Sequence, residues 1–325
     1  MSFSIFHRPG AVVFLDDDPA YLEMLGMALP AHWHIELFLR PQPCINYLQQ
    51  EPPQWEEDAW QQQRLVDRWR AGSPLIPQIL AYWAEAPLRH ALTQVCVFDY
   101  SMPGMDGLQA LGELVDWPGA RVLLTGQADE HVAVTAFNRS AIDQFIPKQT
   151  PNISRRLIDS VQQLLDRAHP RHEQIWRNTL SADQCALLRI PSVGLDLSEF
   201  AKKHWVEHVV IGEPFGVLGL DANGHASWLQ LEPAGGLADM AELAEAEAMP
   251  QNAVQEIRTG RSLVDLELRQ SLEQTHPPRL RPAFDLGLDG ALKAALFELP
   301  GLNSPAAVQS YKDWLSSHSG RAVRD

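Results

Sequence analysis

Aspartates follow two apolar segments in the first half of the chain. Asp16 and Asp17 come directly after residues 12–15, and Asp99 comes directly after residues 95–98. Carboxylate oxygens are ligands that Mg²⁺ prefers, and a carboxylate beside that ion can attack a phosphoryl group. If both segments are neighbouring strands of a parallel sheet, their carboxyl ends meet at one edge. The sequence therefore predicts one acidic site in which Mg²⁺ lies beside an aspartate that can accept a phosphoryl group.

Short apolar segments alternate with helical segments over residues 1–150. The candidate strands lie at residues 11–15, 34–39, 95–98, 121–124 and 144–146. The candidate helices between them include residues 19–29, 108–115 and 131–140. This alternation predicts a doubly wound, five-stranded parallel α/β sheet with helices on both faces. Such a sheet places Thr125 at the same edge as the aspartates.

Residues 41–94 are too long for one crossover between two of these strands. They hold four of the ten tryptophans, namely Trp55, Trp60, Trp69 and Trp83. The apolar residues recur at helical spacing on both sides of Gly72, which predicts a helical hairpin inserted between the second and third strands. The tryptophans either form the internal core of this hairpin or provide a docking surface for a partner.

The second half of the chain has a different pattern. Residues 151–190 form a helical connector in which Pro170 ends or kinks a helix, and residues 191–325 form an α+β domain. Candidate strands lie at residues 208–211, 215–220, 226–231, 280–286 and 291–297. Candidate helices lie at residues 237–249, 252–273 and 306–315, the second of them continuing through Gly260.

Composition excludes several classes of protein. The length of 325 residues corresponds to about two domains, and the net charge of -15 is spread over both halves, which disfavours direct DNA binding. Three cysteines without a CxxC pair provide neither a disulfide framework nor a zinc motif. We find no signal-peptide pattern at the N-terminus and no apolar stretch long enough to span a membrane, so we expect a cytoplasmic protein.

Residues 11–150 resemble the receiver domain of bacterial two-component response regulators. The resemblance rests on five elements that occur in the family's order: the pair Asp16 and Asp17, Asp99, the turn at residues 102–107, Thr125 and Lys148. It implies a flavodoxin-like fold, a cognate histidine kinase as phosphoryl donor and a homodimer. It also implies that the protein transmits a signal rather than acting as an enzyme.

The resemblance assigns roles around the metal. Asp99 would be the phosphoacceptor. Asp16, Asp17, Asp99 and the backbone carbonyl of Ser101 would bind Mg²⁺, which is the one cofactor implied. Asp18 would lie outside the metal's ligands and cap the following helix.

The resemblance also assigns a switch. Thr125 and Lys148 would contact the phosphoryl group, and Phe145 would turn inward on activation. The family usually has a proline after the lysine, whereas here Pro147 precedes Lys148 and Gln149 follows it. We therefore expect a trans peptide before Gln149 and an altered position of the lysine.

The sequence of the C-terminal half contains fewer motifs that indicate a function. Residues 214–228 resemble the opening hairpin of a PAS-type sensory domain, and we find no P-loop, GxSxG, HExxH, GGDEF or EAL motif. His204 and His208 have the spacing of a helical metal pair, but without a third ligand we interpret them as surface histidines. We expect an output that acts through contact with a downstream protein or small ligand. An enzyme of unrecognised type and a transcription regulator are the alternatives.

Overall fold

The computed structural model describes residues 3–126, 130–167, 169–288, 290–299, 310–318 and 321–324. In chain order the strands are β1 (Phe6–His7), β2 (Ala11–Leu15), β3 (His34–Phe38), β4 (Thr93–Asp99), β5 (Ala120–Thr125), β6 (Gln144–Pro147), β7 (Glu207–Gly212), β8 (Phe215–Leu220), β9 (Ala226–Pro233), β10 (Ser262–Val264), β11 (Leu280–Pro282), β12 (Phe284–Leu286), β13 (Leu292–Glu298) and β14 (Val323–Arg324). The helices are α1 (Pro19–Ala28), α2 (Pro41–Leu48), α3 (Pro52–Arg70), α4 (Leu75–Glu85), α5 (Gly107–Gly112), α6 (Glu130–Asn138), α7 (Ile153–Leu165), α8 (Pro170–Arg177), α9 (Ala182–Leu188), α10 (Pro191–His204), α11 (Leu237–Ala246), α12 (Gln251–Arg258), α13 (Leu266–Ser271) and α14 (Tyr311–His318). None of the helices in this part of the chain has the length and apolarity needed to cross a bilayer.

The chain forms two compact units, and each is assembled from separate stretches of sequence. The parallel-sheet unit comprises residues 9–60, 88–169 and the chain from Lys312 onward. The antiparallel-sheet unit comprises the chain up to Arg8, residues 61–87 and residues 170–311. These boundaries differ from the predicted division at residues 150 and 190, because strand pairing and packing join segments that are far apart in sequence.

The parallel-sheet unit contains six parallel strands in the order β14-β3-β2-β4-β5-β6. The five predicted strands are confirmed, and β14 adds a sixth that pairs with β3. All residues of β2 are buried, as expected for an apolar strand covered on both faces. Val12 and Phe14 pack with residues of α1 and α7, whereas Val13 and Leu15 pack with residues of α2 and α5. The doubly wound architecture is thereby confirmed.

A C-terminal segment completes the parallel-sheet unit. Trp314 on α14 is fully buried, and its ring lies edge-on to His34 at 4.8 Å and to His90 at 5.5 Å between ring centroids. The predicted closing helix at 306–315 overlaps α14 over residues 311–315, and residues 306–309 lie outside the described part of the chain. Trp314 therefore belongs to the packing of the parallel-sheet unit.

Two arginines hold the residues that follow α14. The guanidinium of Arg321 donates hydrogen bonds to the backbone carbonyls of Leu29 and Pro30, at 3.2 and 2.6 Å, just beyond the end of α1. Arg324 in β14 forms an ion pair with the buried Glu36 of β3, with 2.7 Å between Nη2 and Oε2. These contacts fix the sixth strand at the edge of the sheet.

Helices α3 and α4 lie on either side of Gly72, where the sequence predicts an inserted hairpin, and they do not form a separate unit. Residues 61–87 pack within the antiparallel-sheet unit, whereas α2 and the start of α3 lie in the parallel-sheet unit. Trp55 and Trp83 are 5% and 1% exposed and lie in different units, so burial argues against a docking role for either but does not make them the core of one hairpin. Trp69 is half-buried, and Trp60 is 56% exposed.

The antiparallel-sheet unit contains a six-stranded sheet in the order β1-β7-β8-β9-β13-β12. The predicted hairpin between β8 and β9 is confirmed, and its turn is stabilised by Asp221, whose Oδ1 accepts hydrogen bonds from the N–H groups of Asn223 and His225 at 2.8 Å. Gly224 in this turn has a φ of +87°, which favours glycine. Helices α9 to α13 accompany the sheet, in agreement with the predicted α+β class.

The prediction of one long helix over residues 252–273 is wrong. Helix α12 ends at Arg258, and Gly260 follows in the left-handed region with a φ of +66°. A left-handed glycine terminates a helix because it redirects the chain while satisfying a final carbonyl, here that of Ile257. Residues Ser262–Val264 then form β10, which pairs with β11.

Replacement of the buried Trp314 by alanine tests the contribution of the C-terminal segment. We expect Trp314→Ala to lower the free energy of unfolding by about 3–5 kcal/mol, because it removes a fully buried aromatic side chain. Trp60→Ala, at an exposed position in the same unit, is the matched control and should change stability by less than about 0.5 kcal/mol. Urea unfolding followed by circular dichroism measures the free energy of unfolding of both variants. A loss for Trp314→Ala as small as that expected for the control would show that Trp314 is not part of this core.

Candidate functional site

Strand register brings the predicted carboxylates together. Strands β2 and β4 are parallel neighbours in which Leu15 pairs with Phe98, so Asp16 and Asp99 leave the sheet at the same edge. Carboxylate oxygens of Asp16, Asp17 and Asp99 lie within 4.8 Å of one another. Asp16 and Asp99 are buried, whereas Asp17 is exposed. The arrangement provides hard oxygen ligands of the type that Mg²⁺ prefers.

Lys148 follows β6 and reaches across to this cluster. Its Nζ lies 2.7 Å from Oδ2 of Asp16 and 2.8 Å from Oδ1 of Asp99. Its backbone N–H donates a hydrogen bond to the carbonyl of Thr125, at 2.8 Å, which ties the lysine to the end of β5. The peptide before Gln149 is trans, as expected. The lysine nevertheless bridges both carboxylates. The proline that precedes Lys148, where the family usually has one after the lysine, therefore does not remove the lysine from the site.

Burial and neighbouring charges shift the pKa values of Asp16 and Lys148 in opposite directions. Burial raises the pKa of Asp16, although the hydrogen bond from Lys148 lowers it in part. Burial alone would lower the pKa of Lys148, but the hydrogen bonds and charges of Asp16 and Asp99 raise it overall. Lys148 therefore stays protonated between the two acids. Two of the three carboxylates contact this ammonium, and the cluster offers oxygen ligands that suit a divalent cation.

Thr125 is a buried hydroxyl at the end of β5. Its side chain is fully buried, and its Oγ1 has no hydrogen-bond partner among the described residues. Register pairs Asp99 with Leu124, so Thr125 follows at the same edge of the sheet as Asp99. Buried hydroxyls are nearly always hydrogen-bonded, and an oxygen of a phosphoryl group on Asp99 is a suitable acceptor.

The turn after Asp99 needs glycine at one position. A Cβ on Gly107 would lie 2.2 Å from the backbone carbonyl of Asp99, which is too close for any other residue. Gly107 N–H donates to the carbonyl of Tyr100 at 2.9 Å, and Asp106 caps α5 in a reciprocal capping box with Gln109. Ser101 is exposed within this turn, two residues beyond Asp99.

Two aromatic residues flank the site. Phe145 on β6 is half-buried and meets Phe137 of α6 edge-on, with 6.5 Å between ring centroids. Tyr21 was not predicted as a site residue, yet its ring centroid lies 4.8 Å from Nζ of Lys148. This contact is a cation–π interaction that helps to orient the ammonium. The only sequence signal was the position of Tyr21 in the first turn after the acidic loop.

The two histidines in the second half do not form a helical pair. His204 is the last residue of α10, whereas His208 lies in β7. His208 is buried, its Nε2 lies 3.1 Å from the carbonyl of Ser4, and burial lowers its pKa to about 3. Among the described residues, the acidic cluster at Asp16, Asp17 and Asp99 is the one group of this kind that could hold a metal ion.

Comparisons with known proteins address the fold. No protein-family model matches the chain, and a search of curated proteins found no significant match. Among solved structures, the Legionella pneumophila response regulator LqsR matches with a TM-score of 0.73 and 21% identity over 98% of both chains. A receiver domain protein from Methanospirillum hungatei matches 49% of this chain and 94% of its own, with 17% identity and a TM-score of 0.30. A beryllofluoride-activated DrrB receiver domain matches 49% of this chain and 100% of its own, with 15% identity and a TM-score of 0.32.

The match to LqsR establishes the class of fold. The chain shares, over nearly its whole length, the fold of a response regulator. This agrees with the receiver-type fold that the sequence resemblance predicts for the parallel-sheet unit. The chemistry of the site is inferred from the positions of Asp16, Asp99 and Lys148 in this chain.

Neighbouring aspartates provide a matched test of metal binding. We expect Asp17→Asn to weaken Mg²⁺ binding by about tenfold or more, because it removes one carboxylate of the cluster. Asp18→Asn is the control, since Oδ1 of Asp18 accepts the N–H groups of Ala20 and Tyr21 as a helix cap, which asparagine also provides. Competition of Mg²⁺ with Mn²⁺, followed by electron paramagnetic resonance, measures both affinities. Equal weakening would place the metal elsewhere.

Proposed function

We propose that this chain is a response regulator that accepts a phosphoryl group on Asp99 from a histidine kinase. The observation that carries the proposal is the site itself, in which Lys148 bridges Asp16 and Asp99, and Thr125 at the same edge has a buried hydroxyl without a hydrogen-bond partner in the described part of the chain. The fold shared with LqsR supports it, because that protein is a response regulator. A cytoplasmic location is part of the same proposal.

The chemistry is phosphoryl transfer to a carboxylate. A carboxylate oxygen of Asp99 attacks the phosphorus of a phosphohistidine, a P–O bond forms, and the P–N bond breaks with its electron pair returning to the imidazole. Asp16, Asp17, Asp99 and the backbone carbonyl of Ser101 would hold Mg²⁺. When bound, the ion supplies positive charge to the phosphoryl oxygens.

The residues around Asp99 prepare this transfer and respond to it. Lys148 already lies at 2.8 Å from Asp99 and pairs with the added phosphoryl charge. The hydroxyl of Thr125 donates a hydrogen bond to a phosphoryl oxygen and thereby gains a partner. Phe145 turns inward as Thr125 moves, which alters the surface formed by α6 and β6.

The antiparallel-sheet unit is the output in this proposal. It acts through contact with a protein or small ligand and is not an enzyme. A homodimer formed through the parallel-sheet unit belongs to the same proposal. The acidic net charge of -15 does not favour a DNA-binding output.

Phosphorylation by acetyl phosphate tests the acceptor. We expect the wild-type chain with Mg²⁺ to gain one phosphoryl group by intact-mass spectrometry, and Asp99→Asn to gain none. Asp106→Asn is the control, because Asp106 lies in the same turn but only caps α5, a role that asparagine retains. Removal of Mg²⁺ with a chelator should also abolish the modification. A labelled Asp99→Asn variant would contradict the assignment.

A further inference from the structure

We propose that Tyr21 is a positioning residue whose ring keeps the ammonium of Lys148 beside Asp99 when Mg²⁺ occupies the site. The centre of the ring lies 4.8 Å from Nζ of Lys148. The role of Tyr21 rests on the proposed phosphoryl transfer to Asp99, for which a metal ion and an ammonium must lie side by side. Tyr21 thus belongs to the same site as the predicted acids and lysine.

The metal ion and the ammonium compete for Asp16. Its Oδ1 accepts the backbone N–H of Asp18 at 3.0 Å, and its Oδ2 lies 2.7 Å from Nζ of Lys148. An Mg²⁺ ion that binds Oδ2 therefore competes with the ammonium for that oxygen, and two cations that share one carboxylate repel each other. Binding of the ion thus weakens the contact between Asp16 and Lys148.

The side chain of Lys148 needs a further partner once this contact weakens. It is 30% exposed, whereas the side chains of Asp16 and Asp99 are 2% and 6% exposed. A lysine has a flexible stem and a strongly hydrated ammonium, so it turns toward water when a carboxylate no longer holds it. The backbone hydrogen bond from Lys148 to the carbonyl of Thr125 does not restrain the stem. The partner must therefore act on the ammonium itself.

The ring of Tyr21 meets this requirement. The face of an aromatic ring attracts an ammonium, and the attraction increases as the ammonium loses water. The face carries no oxygen, which is the ligand atom that Mg²⁺ prefers. The ring therefore holds Lys148 without competing for the ion.

The fold fixes the position of this ring. Tyr21 lies in the first turn of α1, where its N–H and that of Ala20 donate to Oδ1 of Asp18 at 3.3 and 2.9 Å. Its half-buried side chain packs against the apolar core that β2, α1 and α7 share. Its hydroxyl is buried and has no hydrogen-bond partner in the part of the chain that the structure describes. The helix cap and the core therefore position the ring, and phenylalanine can replace it.

NMR spectra of the full chain test the contact directly. The chain has five lysines, so ¹³C-labelled lysine gives few ε-methylene resonances, and Lys148→Arg identifies the one that belongs to Lys148. Because a ring shields protons above its face, we expect an upfield ε-methylene proton shift both before and after Mg²⁺ is added. Tyr21→Phe should keep this shift and Tyr21→Leu should lose it. A wild-type shift that disappears with Mg²⁺, or one that persists in Tyr21→Leu, would overturn the proposal.

The rate of phosphorylation by acetyl phosphate tests the consequence. At saturating Mg²⁺ we expect Tyr21→Leu to be labelled about fivefold more slowly than the wild-type chain, because the ammonium is no longer held beside the phosphoryl group. The conservative variant Tyr21→Phe retains the ring and should stay within about twofold. Circular dichroism confirms that each variant is folded.

Tyr47→Leu is the matched control for lost packing. Tyr47 is also half-buried in the parallel-sheet unit, and its ring lies 5.5 Å from the guanidinium carbon of Arg324 instead of Lys148. Its loss should leave the rate of labelling within about twofold. Equal slowing in Tyr47→Leu and Tyr21→Leu would reduce the effect to packing and refute a specific role for Tyr21.

A graded series separates the charge of the ring from its shape. Phenylalanine analogues with an increasing number of fluorine atoms at residue 21 keep the shape of the ring and withdraw electrons from its face. We expect the logarithm of the labelling rate to fall with each added fluorine, because the attraction for the ammonium weakens. A rate that does not respond to fluorine would contradict the proposal.

The two proposals fail separately. A wild-type chain that takes up no phosphoryl group would contradict the assignment of Asp99, and the NMR shifts would still decide whether Tyr21 holds Lys148. A labelled wild-type chain together with an unchanged rate in Tyr21→Leu would overturn the role of Tyr21 and leave the acceptor in place.

Discussion

The bridge from Lys148 to Asp16 and Asp99 is the interaction on which the site depends. Placing one ammonium at 2.7 and 2.8 Å from two buried carboxylates requires that the ends of β2, β4 and β6 meet. Charges that are removed from water are tolerated only when they are paired in good geometry. The register of the parallel sheet supplies that geometry, and Gly107 allows the turn behind Asp99 to approach its backbone closely. The same cluster offers oxygen ligands that suit Mg²⁺.

The two units are interlaced along the chain rather than joined end to end. The N-terminal strand β1 pairs with β7 in the antiparallel sheet, and the C-terminal strand β14 pairs with β3 in the parallel sheet. Helix α3 begins in one unit and ends in the other. A single cut between residues 150 and 190 would therefore remove a strand from each sheet. The buried Trp314 makes the C-terminal segment part of the parallel-sheet core.

The elements with strong local patterns were predictable from the sequence. Apolar runs ending in aspartates define strands whose carboxyl ends must converge, which is why Asp16, Asp17 and Asp99 could be placed together in advance. Contacts that depend on distant segments could not be placed. Tyr21 reads as one more apolar position on α1, and nothing local indicates that its ring faces Lys148. The short strands β10 and β14 carry too few residues for a periodic pattern, and helical spacing through residues 252–273 concealed the break at Gly260.

The most direct measurement is the fluorine NMR spectrum of the full chain with beryllofluoride, a mimic of the phosphoryl group. Resonances of the bound mimic should appear for the wild-type protein only when Mg²⁺ is present, and they should be absent for Asp99→Asn. Such a result would show that the mimic binds at Asp99 in a metal-dependent manner. A bound signal that persists in Asp99→Asn, or no bound signal in the wild-type protein with Mg²⁺, would contradict the assignment of Asp99 as the phosphoacceptor.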